Sequence, residues 1–337
     1  MAGYVIRRIL WMIPLLWAIA TITFVLMHSV PGGPFASEKP VPPSVEAALN
    51  ARYNLDKPIF PISSAGTPPF VEFTVESQYT LYFWDLAHFD LGISFQGDRE
   101  VTELLGTGLP VSAQLGAFAF VYAVTLGMTL GIVAALNQNK VGDYLGVFFA
   151  TIGTAMPNFI IATFLVTIFS VQLGWFSVLG WGGAHAWPWE PPFWDPDNWH
   201  IRQMVLPVVS LGTLSAAYIA RITRASVLEV LNQDYIRTAR AKGLREQVVV
   251  FRHTIKNAMV PILTVLGPIL ATLVTGSFIV ETIFAINGVG RHFVQAVFRR
   301  DYGLIMGVTL FYALVVAVAN LAVDLLYATV DPRIRYQ

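Results

Sequence analysis

The chain has 337 residues, 55% of them hydrophobic and 12% charged, with 21 lysines and arginines balanced by 21 acids. Soluble globular domains carry about 25% charged residues, so half that charge with this apolar content points to an integral membrane protein. Zero net charge offers no bulk attraction to nucleic acid; the absence of cysteine excludes disulfides, zinc–thiolate centres and cysteine nucleophiles, and says nothing about redox compartment.

Apolar stretches long enough to cross a hydrocarbon core, roughly 20 residues each, run over Ile9–Val30, Leu109–Leu136, Leu145–Leu173, Met204–Ile222, Ala258–Phe284 and Gly303–Val330. The fourth is the weakest, being short and closely bounded by Arg221. Pro14, Pro157, Pro207 and Pro268 fall inside spans, where neighbouring helices re-satisfy the freed carbonyls. Gly116, Gly127, Gly131, Ala134 and Ala135 suit the second span to close helix–helix approach. Arg7 and Arg8 before the first span resemble the n-region of a signal peptide, but the apolar run is long and VPGGP follows it in place of a small-residue cleavage site. The first span therefore reads as an anchor. The same arginines favour a cytoplasmic N-terminus, and six spans return Arg333 and Arg335 to that side.

The first external segment is long and acidic, and its stretch from Tyr79 to Phe95 is aromatic enough to lie along the outer leaflet. The second, about Gly174–Gln203, is rich in tryptophan and proline. Interfacial anchoring, stacking on a carbohydrate or aromatic ligand, and contact with an external partner all fit it; His185 and His200 are too few for a metal site. After the fifth span, Gly288 and Gly290 predict a tight reversal before a short surface helix over His292–Arg300.

No phosphate-binding loop, H-E-x-x-H, G-x-S-x-G or paired-carboxylate arrangement is present. Within the spans Glu281 and Asp324 stand out, and an acid in a span is a functional candidate. Glu281 falls near the outer end, within reach of Arg291; Asp324 falls near the inner end, within reach of Arg333 or Arg335. Structural pairing is the expectation for both, with a proton relay as the alternative.

Between spans four and five, Arg221–Asn257 holds eight Lys/Arg (221, 224, 237, 240, 242, 245, 252, 256) against Glu229, Asp234 and Glu246. Asp234 can cap a helix beginning near Tyr235. Thr238, Ala239 and Lys242 follow at i+3, i+4 and i+7, and Gly243 allows a break or a close backbone approach. Val248, Phe251 and Ile255 then form an apolar face, His253 and Asn257 share another, and Pro261 opens the fifth span. From the residues alone two readings stand: a docking element for a soluble partner, or a solvated basic face near anionic headgroups.

The segment resembles the cytoplasmic loop of binding-protein-dependent ABC importer permeases, E-A-A-x3-G followed by I-x-L-P. Arg237-Thr238-Ala239 stands where Glu-Ala-Ala would, with Gly243 and Pro261 as the glycine and proline. The arginine and the longer gap to Pro261 depart from that pattern and resemble the dipeptide/oligopeptide (and nickel) permease version, Y-[IV]-R-T-A-R-A-K-G-L, which Tyr235–Leu244 matches throughout. RRILWMIPLLW, VPGGP, NLDKP at Asn54–Pro58, DLGIS at Asp90–Ser94, ETIF at Glu281–Phe284, GVGR at Gly288–Arg291, RRDY at Arg299–Tyr302 and the final DLLYATVDPRIR extend the resemblance along nearly the whole chain. Residues 59–78 and the Trp/Pro-rich loop fit it least.

The resemblance implies an all-α type I ABC importer permease fold of six transmembrane helices with both termini cytoplasmic. It implies a single permease domain over 1–337, with an external segment at 31–108 and a cytoplasmic coupling loop at 223–257, in the cell membrane of a prokaryote. It also implies a second homologous permease, two ATP-binding subunits that hold ATP and Mg, and an external solute-binding protein, with no cofactor, metal or catalytic residue in this chain. Tyr235, Arg237, Thr238, Ala239, Arg240, Lys242 and Gly243 become ATPase-coupling residues, the small ones permitting close docking and the basic ones meeting acids at a groove rim. Glu281, Asp324 and Arg291 become structural or gating residues. Di- or oligopeptide is the implied cargo, with oligosaccharide or a nickel complex as alternatives. An ATP-independent carrier or a membrane scaffold is the more distant reading.

Overall fold

The computed structural model describes residues 2–31, 33–35, 42–64, 71–73, 76–181 and 201–330. Apart from a small antiparallel pair, β1 (Ile62–Ser64) with β2 (Val71–Phe73), its regular structure is helical. Among the described residues five helices are long and apolar enough to cross a membrane, and a sixth span results if one bent pair counts as one. Its contacts divide the chain into two compact units: Gly108–Arg291 with Val315–Gln337, and Ala2–Thr107 with His292–Leu314.

The second unit contains α1 (Ala2–Ser29), α2 (Pro43–Arg52), α3 (Gln78–Ala87) and the first turns of both α4 (Val101–Leu136) and α13 (Tyr302–Val330). Ser77 caps α3 reciprocally with Thr80, which explains why the aromatic run becomes a helix there. That helix lies on α1 through aromatic faces: Phe24 meets Tyr79 and Tyr82, and the Tyr79 hydroxyl lies 3.0 Å from that of Thr21. Buried Asp301 starts α13 by accepting from Leu304 N at 3.1 Å, and it ties down the 94–95 loop by accepting from Phe95 N at 3.0 Å and from Ser94 Oγ. Asp301 was missed as a structural residue, although an aspartate just before an apolar helix is a capping signal.

In the first unit α7 (Ile201–Leu231) is the central helix, packed by α5 (Val141–Ala155), α6 (Asn158–Leu165), α10 (Lys256–Val274) and α11 (Phe278–Ile283). The weakest expected span is thus the helix on which the others of this unit pack. Its C-terminal turns carry Arg224, whose Nε and Nη2 donate to both carboxylate oxygens of buried Asp143 on α5 at 2.6 and 2.8 Å. The expected spans, beginning at Leu145 and ending at Ile222, stop short of both residues; pairing with the partly exposed Arg224 compensates the burial of the Asp143 carboxylate. Gly127 and Gly131 of α4 lie against Ala216 and Ala220 of α7 so closely that a Cβ at either would fall 2.6 Å from the facing carbonyl, the approach their small size predicts.

The expected third span is not one helix. α5 stops at Ala155, Pro157 precedes α6, and the π-wound continuation Val166–Gln172 completes a partner inclined by 106°. Proline disfavours helical geometry in the residue before it, and Met156 is accordingly extended. The fifth expected span is also divided. α10 ends at Val274, Gly276 takes φ +89, and Ser277 caps the separate α11.

Candidate functional site

The basic segment after α7 folds as α8 (Asp234–Ala241), followed by a turn at Lys242–Arg245 and α9 (Glu246–Val248), a π-wound stretch Val249–Ile255, and α10. The N-cap is Gln233 and makes no side-chain cap bond, so Asp234 begins the helix and does not cap it. Asp234 instead places negative charge in the first turn, where the helix dipole favours it, 3.7 Å from Arg237. The Thr238 hydroxyl donates to the Asp234 carbonyl at 3.0 Å. Gly243 has φ +77, a region that penalises a side chain, and so closes the helix.

One face of α8 is turned into its own chain. Ile236, fully buried, and Ala239, 7% exposed, pack with Val249 and Val230. Tyr235, Arg237, Thr238 and Lys242 are exposed. The named coupling residues therefore fall on two faces, and Ala239 is a packing residue of this chain. Arg240 is also committed internally: its Nε and Nη2 donate to Glu246 at 3.2 and 2.7 Å, and hydrogen bonding to that carboxylate raises the arginine's already high pKa. Burying an isoleucine contributes about 1.5–3 kcal/mol, against roughly 0.2–1 kcal/mol for an exposed ion pair. The apolar contact therefore contributes more to holding α8 than the ion pair does.

The expected apolar face of Val248, Phe251 and Ile255 is replaced by Val249, Val250 and Thr254 as the buried set, with Phe251 71% exposed. The physical reason is the π winding, whose i→i+5 repeat shifts every side chain relative to a 3.6-residue face. The Thr254 hydroxyl donates to the Val249 carbonyl five residues back. Asn257 donates to the His253 carbonyl at 2.7 Å, as their spacing allows.

Glu281 lies at the break between α10 and α11 and is fully buried. Its Oε1 accepts from Ser112 Oγ of α4 at 2.9 Å and Ser277 N at 3.2 Å; its Oε2 accepts from Arg291 N at 3.2 Å. The Ser112 hydroxyl accepts in turn from Val289 N at 3.0 Å. Val289 and Arg291 stand in the first turn of α12 (Val289–Arg299), so the carboxyl group meets that helix's unpaired N–H groups. The expected charge pairing with Arg291 does not form. The guanidinium Nη1 donates to Ala285 O at 2.9 Å and Asn287 Oδ1 at 2.6 Å. A Cβ at Gly276 or Gly288 would run into the Glu281 carboxyl and one at Gly290 would crowd it at 3.0 Å, which ties the ETIF and GVGR strings to one feature. Asp324 lies on α13, but its side chain, like Arg333 and Arg335, lies outside the described residues. So does most of the Trp/Pro-rich loop, with His185 and His200. Among the described residues no cluster of three metal-ligating side chains occurs.

A helical membrane chain with a basic helix, anchored on its own chain between α7 and α10, has a layout that suits the transmembrane part of a transport assembly. The chain belongs to the family of binding-protein-dependent transport system inner membrane components, which residues 127–336 match. Over 337 residues and 100% of both chains it is 39% identical to the oligopeptide transport system permease protein OppB of Salmonella typhimurium. It is 40% identical over 336 residues to the dipeptide transport system permease protein DppB of Bacillus subtilis, covering 99% of this chain and 98% of that one. The inward-facing MetNI methionine ABC transporter shares the fold, with a TM-score of 0.51 and 16% identity over 68% of this chain and 97% of that one. The resemblance carried by the sequence strings is thereby borne out. The chain is a multi-pass inner-membrane permease of a bacterial ABC importer, which works with a binding protein and with ATPase subunits that carry the hydrolysis.

Proposed function

We propose that this permease conducts di- or oligopeptides, paired with a second homologous permease above two ATP-binding subunits, and that α8 is the element the ATPase moves. The observation that carries the cargo is the end-to-end match to permeases named for oligopeptide and dipeptide transport. For α8, support comes from its geometry: a short helix fixed by Ile236 and Ala239 while Tyr235, Arg237, Thr238 and Lys242 stay exposed. A soluble subunit pressing on that face would displace α7 and α10 through the shared contacts. Closure of the ATPase pair would then open the path outward, and hydrolysis would reset it.

The test is reconstitution of the chain with its partner permease, ATPase subunits and binding protein in proteoliposomes. ATP-dependent uptake of a labelled tripeptide is expected, competed by unlabelled peptides and not by oligosaccharide or a nickel complex. Competition by the sugar or the metal complex alone would reassign the cargo. Flux through this chain without ATPase subunits would replace the whole reading with a carrier.

A further inference from the structure

The Arg240–Glu246 pair spans six residues of chain and closes the turn through Gly243 that joins α8 to α9. Two of the three guanidinium nitrogens donate, one to each carboxylate oxygen. A fork-on-fork contact fixes angle as well as distance, which a lysine in the same place would not do. The apolar contact of Ile236 and Ala239 lies on one side of α8 only. Beyond that patch the turn is tied to α8 by backbone bonds, from Gly243 N to the Arg240 carbonyl at 2.9 Å and from Leu244 N to the Ala239 carbonyl at 3.4 Å, while the Leu244 and Arg245 side chains are exposed; the ion pair is the side-chain contact that bridges it. From Glu246 the chain continues without a break through the π-wound stretch into α10.

We propose that Glu246 is a positioning residue for energy coupling: by holding Arg240 it sets the angle between α8 and the helix that leads into α10, so that movement imposed on α8 reaches the membrane helix. The inference rests on the reading of α8 as the ATPase-contacting element. It assigns Arg240 inward, to its own chain, and leaves Tyr235, Arg237 and Lys242 as the outward-facing contacts.

The experiment measures peptide taken up per ATP hydrolysed by the complete reconstituted transporter carrying Arg240→Glu, Glu246→Lys or the swapped pair Arg240→Glu/Glu246→Arg. Each single change is expected to lower that ratio at least fivefold while the complex still co-purifies, and the swap to return it to within twofold of the parent. Single variants with the parental ratio, or a swap no better than the worse single, would overturn the proposal. If a single variant does not assemble, Glu246→Gln serves in its place: an intermediate ratio supports the brace and a parental ratio sinks it. The underlying reading is checked separately. The chain has no cysteine, so Lys242→Cys introduces its sole thiol, and failure of that thiol to cross-link to an ATPase subunit would remove α8 from the ATPase contact whatever the swap does.

Discussion

Glu281 shows how much of this permease is decided by single side chains. An acid buried to zero exposure is tolerated because hydroxyl and backbone donors converge on it and the first turn of α12 faces it. Glycine at 288 then follows from the acid at 281 together with the Ser112 hydroxyl it holds, since a methyl group there would run into both. Gly288→Ala is expected to destabilise the purified permease by about 1–3 kcal/mol. Glu281→Ala is expected to cost a similar amount by orphaning the Ser277 and Arg291 N–H groups. The double variant should cost less than the sum, because without the carboxyl the Ser112 hydroxyl is released and can turn away from the new methyl. Thermal unfolding in detergent reads all three, and strict additivity would show that the carboxyl is not what confines position 288.

At the scale of elements, α8 and its neighbours separate what a sequence displays from what it hides. Span positions are legible because apolar length is a local property, and the exposed basic face of α8 is legible for the same reason. The inward face is the part the sequence hides. Ala239 reads as a docking residue because it is small, whereas its neighbours Val230 and Val249 lie nine and ten residues away and reveal themselves only in three dimensions. The π winding after Val248 has no period that a 3.6-residue template detects. The break at Gly276-Ser277 did carry a signal, a glycine followed by a capping serine, that the apolar run around it masked. Ala239→Trp should therefore act within the isolated permease. Overpacking of about 1–3 kcal/mol would lift α8 from Val249, and limited proteolysis should cut the Lys242–Arg245 turn faster than in the parent chain before any ATPase subunit is added. Parental protease resistance would return Ala239 to the partner's side.

For the whole molecule, the bent pair decides the membrane topology. Counting it as one crossing, the basic α8 segment falls on the side of Arg7 and Arg8, as the excess of positive charge on cytoplasmic loops requires. Were it re-entrant, one crossing would be lost and α8 would lie outside, away from any ATP-hydrolysing partner. Lys140→Cys is expected to react with an impermeant maleimide only from the cytoplasmic side, and Ser177→Cys only from the outside; labelling of both from the cytoplasm would make the pair re-entrant.

The same bend constrains how the chain enters the bilayer. α5 has 15 residues, about 22 Å of helix at 1.5 Å per residue, and so falls short of a hydrocarbon core of about 30 Å. Its inner end also carries an acid whose partner, Arg224, is synthesised some eighty residues later. Neither half of the pair is a self-sufficient insertion signal, and α7 brings a cation that needs that acid. The Asp143–Arg224 pair can close only once α7 has been made, so the short α5 and the longer α7 complete one another's place in the bilayer.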